Sequence, residues 1–415
     1  MEKQRNKVCG VDVHKRFSVA TCLSRDGTKK TKEFTMDLEG LFEFKEWVIG
    51  NGCEVVAFES TGNYWIPIFT FLEGDIELIV GNAYQIKHIP GRKTDLRDSE
   101  WIAELCLNGM INPSRIFSKE DRELRSLTRA REGYVKMITQ TKNRIHHILE
   151  SANIKISSKI SDIFGKSGMH ILNGLLDGTD IDEIIEGIPA TRVKKKADEI
   201  RGAIGSCLDL SQVILIKGNL DIIKELQTQI DKIDHEIESR IMQRKDDLEI
   251  AMSMPGIGFT SASTILAEIG DYRDFDTPGK LASWCGLTAS VYQSGGKNRM
   301  GGITKQGSKH IRWILVEIAY AASRKRGSKL RNFFIRVRAR KGSKVAIVAL
   351  ARKIICILYH LLINQEMYEE EGMEKPKSFQ LDRTSSPIEM TVKEMIEIIV
   401  KAGYMVKKRE PGGCG

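Results

Sequence analysis

The sequence predicts an α/β domain at the N-terminus followed by a long, mainly helical region, and three observations predict it. Residues 1 to about 110 alternate short β-branched runs with helical periodicity. From about 115 onward apolar residues recur at threes and fours through polar, basic text. A second helical region then opens at Pro255-Gly256-Ile257-Gly258.

In the first region strands are expected at Lys7 to Val13, Ser18 to Ser24, Lys32 to Met36, Glu54 to Glu59 and Ile76 to Gly81. Helices are expected at Leu38 to Gly50 and Tyr64 to Glu73, and a last one opens after the glycine turn at Gly91, through Leu96, Trp101, Ile102 and Leu105. Three strands, a helix, a strand, a helix, a strand and a final helix is the order of the ribonuclease H-like fold.

Four acids fall at telling places in that order. Asp12 lies inside the first strand, where an unpaired carboxylate is costly. Glu59 ends the fourth, and Asp95 and Asp98 share one face of the last helix. Carboxylates so placed repel unless a cation lies between them, and four converging on one point would hold two Mg²⁺ ions, with Mn²⁺ as a substitute. Two plainer readings stand beside this one. Asp95 and Asp98 could cap helix amides, and Asp12 could form an ion pair with Lys15 or Arg97.

The composition, 41% hydrophobic and 29% charged over 415 residues, is that of an ordinary globular protein of two or three domains. No leader and no uninterrupted apolar run of membrane-crossing length is evident, so a cytoplasmic protein without membrane association is expected. Eight cysteines, at 9, 22, 53, 106, 207, 285, 356 and 414, lack ligand spacing and read as reduced. The net charge of +9 is concentrated. Arg324, Lys325, Arg326, Lys329, Arg331, Arg336, Arg338, Arg340, Lys341 and Lys344 run with almost no acid, with Phe333 and Phe334 interleaved. Such a block attracts nucleic-acid phosphates, and the rings offer stacking or packing surfaces.

Between the two regions a helix carrying Lys136, Lys142, Asn143 and Arg144 is expected from about 115 to 152, then a small helical insertion from Ser157 to Ser211. A heptad-like seam follows through Leu220, Ile223, Gln227, Ile230, Ile233, Ile237 and Ile241, with Gln227 as its polar break. It fits an intermolecular coiled coil or a hairpin with 120 to 150. The Pro-Gly-Ile-Gly segment resembles a helix-hairpin-helix, in which the amides of Gly256 and Gly258 approach a phosphate. A loop rich in glycine and basic residues follows, with Ser294 at its head. The domains implied are 1–112, 113–248, 249–365 and a partly disordered tail, 366–415, with one possible helix at Val392 to Ala402.

The chain resembles the DEDD transposases of the insertion-sequence-110 family. The matching text is G-V-D-V-H-K around Asp12, F-E-S-T-G around Glu59, K-T-D-L-R-D at 93 to 98, P-G-I-G at 255 to 258, and Y-Q-S-G-G-K with G-I-T-K-Q-G-S-K-H-I-R through Arg312. The departures are Ser99, where alanine is usual, Ala289, where proline is expected, and Ser308, where asparagine is common. The resemblance implies a RuvC-like domain, a helical coiled-coil connector and a mainly helical transposase domain. It further implies metal binding by Asp12, Glu59, Asp95 and Asp98, and a covalent link from Ser294 to a DNA phosphate. Lys297, Arg299, Lys305 and Arg312 would then offset developing charge. DNA, a structured guide RNA and a homo-oligomer, dimer or tetramer, are the partners it implies. Apart from the resemblance, Ser294 reads as a turn residue, the commoner fate of serine in S-G-G, and the acids alone would suit a junction resolvase or nuclease that activates water. An opening resembling the phosphate loop of sugar kinases finds no second D-x-G loop.

Overall fold

The computed structural model describes residues 5–60, 62–83, 86, 98–294, 297–305 and 307–370. The chain divides into two compact units, Met1–Glu120 and Asp121–Gly415.

In the first unit β1 (Lys7–Val13), β2 (Phe17–Ser24), β3 (Lys29–Thr35), β4 (Val55–Glu59) and β5 (Glu77–Gly81) form one sheet in the order β3-β2-β1-β4-β5. β1 and β2, and β2 and β3, are antiparallel; β1 and β4, and β4 and β5, are parallel. This is the mixed sheet that the strand order predicts. Alternation sorts the side chains. Cys9, Val11, Val56 and Phe58 face α1 (Leu38–Gly50) and α2 (Trp65–Leu72) in one apolar cluster. Val8, Val55, Ala57 and Ile79 face α3 (Asp98–Leu107) in the other. Asp37 starts α1 by accepting the amide of Gly40 at 2.9 Å, a cap that draws its carboxyl below the usual range.

Contact between α3 and β1 depends on Gly10. A Cβ there would lie 2.2 Å from the Ala103 nitrogen and 2.3 Å from the Ser99 carbonyl oxygen. Opposite Gly10 on β4 stands Ala57, also small, so the helix backbone lies directly on the strands.

In the second unit two long helices, α4 (Lys119–Ser151, 33 residues) and α9 (Leu210–Ile241, 32 residues), run in opposite directions between two apolar cores. Arg131 pairs with Asp234 at 2.5 Å, and Glu123 with Arg240, so one helix rises as the other descends. Of the two arrangements open from sequence, the chain thus contains the intramolecular hairpin. Gln227 is exposed and bonds to Asp231, and Leu226 is buried in its place. A helix turns by 3.6 residues, so a strict heptad reading drifts off the buried stripe.

Far ends of the long helices, with Ile145, Leu149 and Ile216, join the core of the insertion, formed by α5 (Lys166–Asp177), α6 (Ile181–Glu186), α7 (Thr191–Lys194) and α8 (Ala197–Ala203). Their near ends, with Leu124, Ile237 and Ile241, join a larger core. It contains α10 (Lys245–Ser253), α11 (Phe259–Ile269), α12 (Pro278–Trp284), α13 (Lys309–Arg324), α14 (Lys329–Lys341) and α15 (Ser343–Asn364). Among the described residues α15 is the helix long and apolar enough to cross a membrane. Its Leu350, Ile354, Ile355 and Leu358 are instead wholly buried in this core.

Tyr368 and Glu370, at the start of the tail expected to be partly disordered, pack on the rest of the second unit. The buried Glu370 carboxylate accepts the Lys329 amide at 3.0 Å and the Ser328 hydroxyl at 3.3 Å, closing the N-terminus of α14. Residues beyond, including the expected helix at 392 to 402, lie outside the described residues.

Glu268 on α11 is fully buried. Burial opposes its charge, but Arg129 at 2.6 Å, Arg125 at 3.2 Å and the Ser308 hydroxyl hold its carboxyl below the usual range. A depressed native pKa stabilises above the unfolded value and is lost as pH falls through the native one. Replacing both Arg125 and Arg129 by alanine strands a buried carboxylate and should cost about 3–5 kcal/mol near neutral pH. In thermal melts that deficit should shrink as acidification protonates the stranded carboxyl, beginning above the ordinary glutamate range of about 4 and continuing through it. In the first unit Gly10→Ala should cost about 2 kcal/mol or more by forcing α3 off the sheet, measurable by urea unfolding.

Candidate active site and nucleic-acid surface

Asp12 lies one residue beyond the last β1–β4 pair, Val11 with Phe58, so it comes level with Glu59 at the strand ends. Both follow the alternation of Gly10 and Ala57 and therefore belong to the α3 face. Asp98, the first residue of α3, and Asp12 line one cavity of about 400 Å³ with Val19, Thr31, Lys32, Glu33 and Ser99. Three of the four sequence-selected acids thus share one end of one sheet face. Asp95 lies outside the described residues. Glu33, which sequence reading does not single out, joins the row, since Val19 pairs with both Asp12 and Glu33. Its place on the alternation of Lys29–Thr35 was the available signal.

The partner of Asp12 is His14, whose Nε2 lies 2.9 Å from Oδ2, with the imidazole against Phe17 at 4.5 Å between ring centroids. Asp12 keeps 28% side-chain exposure. Carboxylate oxygens facing a cavity are the donor type that Mg²⁺ and Mn²⁺ take, so the residues fit such an ion in kind. Among the described residues no three acids, histidines or cysteines gather closely enough to hold one.

Ser99 supports this floor. Its buried hydroxyl meets the Thr21 hydroxyl at 2.9 Å, and Thr21 meets Thr31 at 3.0 Å, joining α3 to β2 and β3. An alanine there would lack that link.

The segment expected as a loop around Ser294 is a β-hairpin, β6 (Ala289–Ser294) with β7 (Lys297–Ile303). Ser294 pairs with Lys297 and Tyr292 with Arg299, with a register shift between Ala289 and Val291. Two strands separated by Gly-Gly is a hairpin signal that the glycine and basic composition obscured. Lys305 follows, exposed and in the left-handed region at φ +56°. At Gly307, φ +79°, a Cβ would lie 2.0 Å from the Trp284 carbonyl oxygen, so glycine is required. Arg312 donates to that turn, at 3.0 Å to the Gly307 carbonyl. Ser308 caps α13, and His310 Nδ1 meets Glu132 Oε2 at 2.5 Å. The base of the hairpin is therefore tied to α4 through Glu132 and through Glu268.

Gly256, at φ +89°, faces the α13 backbone, where a Cβ would come within 2.9 Å of the Ala322 nitrogen. The Gly258 amide is taken by the Ser261 hydroxyl at 2.9 Å. Close helix packing and capping account for these glycines, whereas the sequence suggests phosphate contact. Arg324, Lys325, Arg326, Arg336, Arg338 and Arg340 are all exposed. Phe334 is buried and Phe333 packs on the same core, so the rings anchor α14, and Arg338 and Arg336 lie over them at 5.6 and 5.9 Å. All seven described cysteines are free thiols.

The transposase family model DEDD_Tnp_IS110 matches residues 9–154, and that of the IS116/IS110/IS902 transposases matches residues 248–334. The chain belongs to the IS110 family of DEDD transposases. It is 25% identical over 321 residues to a Pseudomonas aeruginosa protein named "Probable family 20 transposase", covering 76% of this chain and 85% of that one. It is 24% identical over 323 residues to the transposase for insertion sequence element IS1111A of Coxiella burnetii, covering 76% and 79%. The pilin gene-inverting protein of Moraxella bovis is 27% identical over 155 residues, 36% of this chain and 48% of its own. Both matched segments of this IS110-family chain carry its candidate chemistry: the first includes the four acids, the second Ser294.

Ser99→Ala should cost about 1 kcal/mol in urea unfolding, since Thr21 keeps Thr31 as partner.

Proposed function

We propose that this transposase cuts DNA and rejoins it through a phosphoserine link on Ser294, assisted by a divalent cation. The observation that carries the reading is the placement of Asp12, Glu59 and Asp98 at one end of one sheet face. Membership of a DEDD family supports it. With Asp95, these acids would hold Mg²⁺, or Mn²⁺ in its place, which supplies Lewis-acid polarisation of a phosphate.

The Ser294 oxygen attacks phosphorus, and the Oγ–P bond forms as the bond from phosphorus to a deoxyribose oxygen breaks. The serine proton passes to a base, the departing oxygen takes up a proton, and the phosphodiester is conserved for attack by a new strand. Paired with Lys297 at the hairpin end, Ser294 has cationic residues beside it in sequence, and Lys297, Arg299 and Lys305 offset charge on the phosphate. Arg312 acts instead on the hairpin base, through the Gly307 carbonyl. The exposed cations of α14 and its preceding turn hold nucleic-acid backbones without reading sequence. That division suits target choice by a structured guide RNA, with the protein acting as a homo-oligomer.

The test is a denaturing gel of protein, Mg²⁺, labelled element-junction DNA and RNA transcribed from the flanking region. A covalent protein–DNA band should form with the unaltered chain and be absent with Ser294→Ala and with Asp12→Ala, both of which should still fold and bind DNA. Nicked DNA without an adduct, unchanged by Ser294→Ala, would mean that water is the nucleophile, as in a resolvase or nuclease.

A further inference from the structure

Lys309, Trp313, Glu317, Tyr320 and Arg324 are spaced by three and four along α13, and all five are exposed. At 3.6 residues per turn they lie within an arc of about 80°. The opposite face, with Ile311, Leu315, Ile318 and Ala322, is wholly buried, so neither ring is needed by the core. Trp313 is 42% exposed and Tyr320 43%, their Cα atoms about 10 Å apart along the axis. Large rings left in water on a packed helix point to a partner with an apolar face.

Charge identifies that partner. Lys136 of α4 lies over the Trp313 ring at 5.7 Å from its centroid, Lys309 stands one turn before it, and Arg324, Lys325 and Arg326 close the far end. Glu132 beside Lys136 is already engaged by Lys136 and His310. Glu317, between the rings, would repel phosphate and accept from exocyclic amino groups. Bases therefore lie over the centre and the backbone along the cationic flanks.

We propose that this stripe binds an unpaired DNA strand, its bases stacking on Trp313 and Tyr320. A duplex hides the faces of its bases, and this rules it out as the occupant. The choice of DNA rests on the strand cutting and rejoining proposed above, in which α13 begins six residues after the serine hairpin ends.

The test uses full-length Ser294→Ala protein in EDTA, so failure of the serine or metal chemistry leaves the measurement intact. Anisotropy of a labelled dT oligomer should show Trp313→Ala and Tyr320→Ala binding each about tenfold more weakly. Trp313→Phe should stay within about threefold, and affinity for a duplex of equal length should be unchanged. Circular dichroism should report native folding for all three. Unchanged oligomer binding in both alanine variants would overturn the proposal, as would equal losses for oligomer and duplex. So would a changed oligomeric state of the alanine variants in light scattering, which would assign the rings to a second copy. Tighter binding of the matching RNA oligomer, lost in the same variants, would overturn the assignment to DNA.

Discussion

A missing side chain governs the acidic site. Because Gly10 carries no Cβ, the backbone of α3 rests on β1, and this brings the first residue of α3, Asp98, to the cavity that Asp12 lines. Ala57 on the neighbouring strand and Ala103 on the helix keep the same contact thin. Ser99 then adds direction, since its hydroxyl locks the first turn of the helix to Thr21 and onward to Thr31. Close packing transmits small displacements, so an acid carried on a helix terminus is only as well placed as the helix beneath it.

The second unit is held by a different device. Two carboxylates, Glu268 and Glu132, are taken out of water and held by Arg125, Arg129 and Lys136 of α4 and by Ser308 and His310 at the start of α13. Isolated, either would be costly; paired as they are, each ties the long connector helix to the strand-to-helix turn that follows the serine hairpin. Gly307 and Arg312 stiffen the same turn from within, the first by allowing the approach of the Trp284 carbonyl, the second by bonding to the turn's own carbonyl. The hairpin therefore projects from a fixed base.

Much of this was legible in the chain. The strands of the sheet were readable because apolar alternation is a local property, and Lys7–Val13 and Leu38–Gly50 agree to the residue. Placing Asp12 and Glu59 together needed only the strand order and the period of two. What escaped reading was tertiary. The need for glycine at 10 is set by Ser99 and Ala103, far along the chain, and nothing around Gly10 announces it. Arg312 has the same chemistry whether it meets a phosphate or a carbonyl, so its basic neighbourhood does not reveal the bond to the Gly307 carbonyl. Leu226 and Gln227 differ by one position, about 100° on a helix, less than a heptad pattern resolves over so long a span. Glu370 falls within the tail expected to be partly disordered because its partners, Ser328 and Lys329, precede it by some forty residues.

That last contact has a consequence for synthesis. The basic helix α14 has its N-terminus closed by a carboxylate 42 positions downstream of Ser328. On a ribosome, which releases the chain from its N-terminus, the sheet domain can collapse while the cationic surface still lacks its final brace. The basic helix of this protein thus receives the brace at its N-terminus only after some forty more residues have been made, well after the strands of the sheet have left the ribosome.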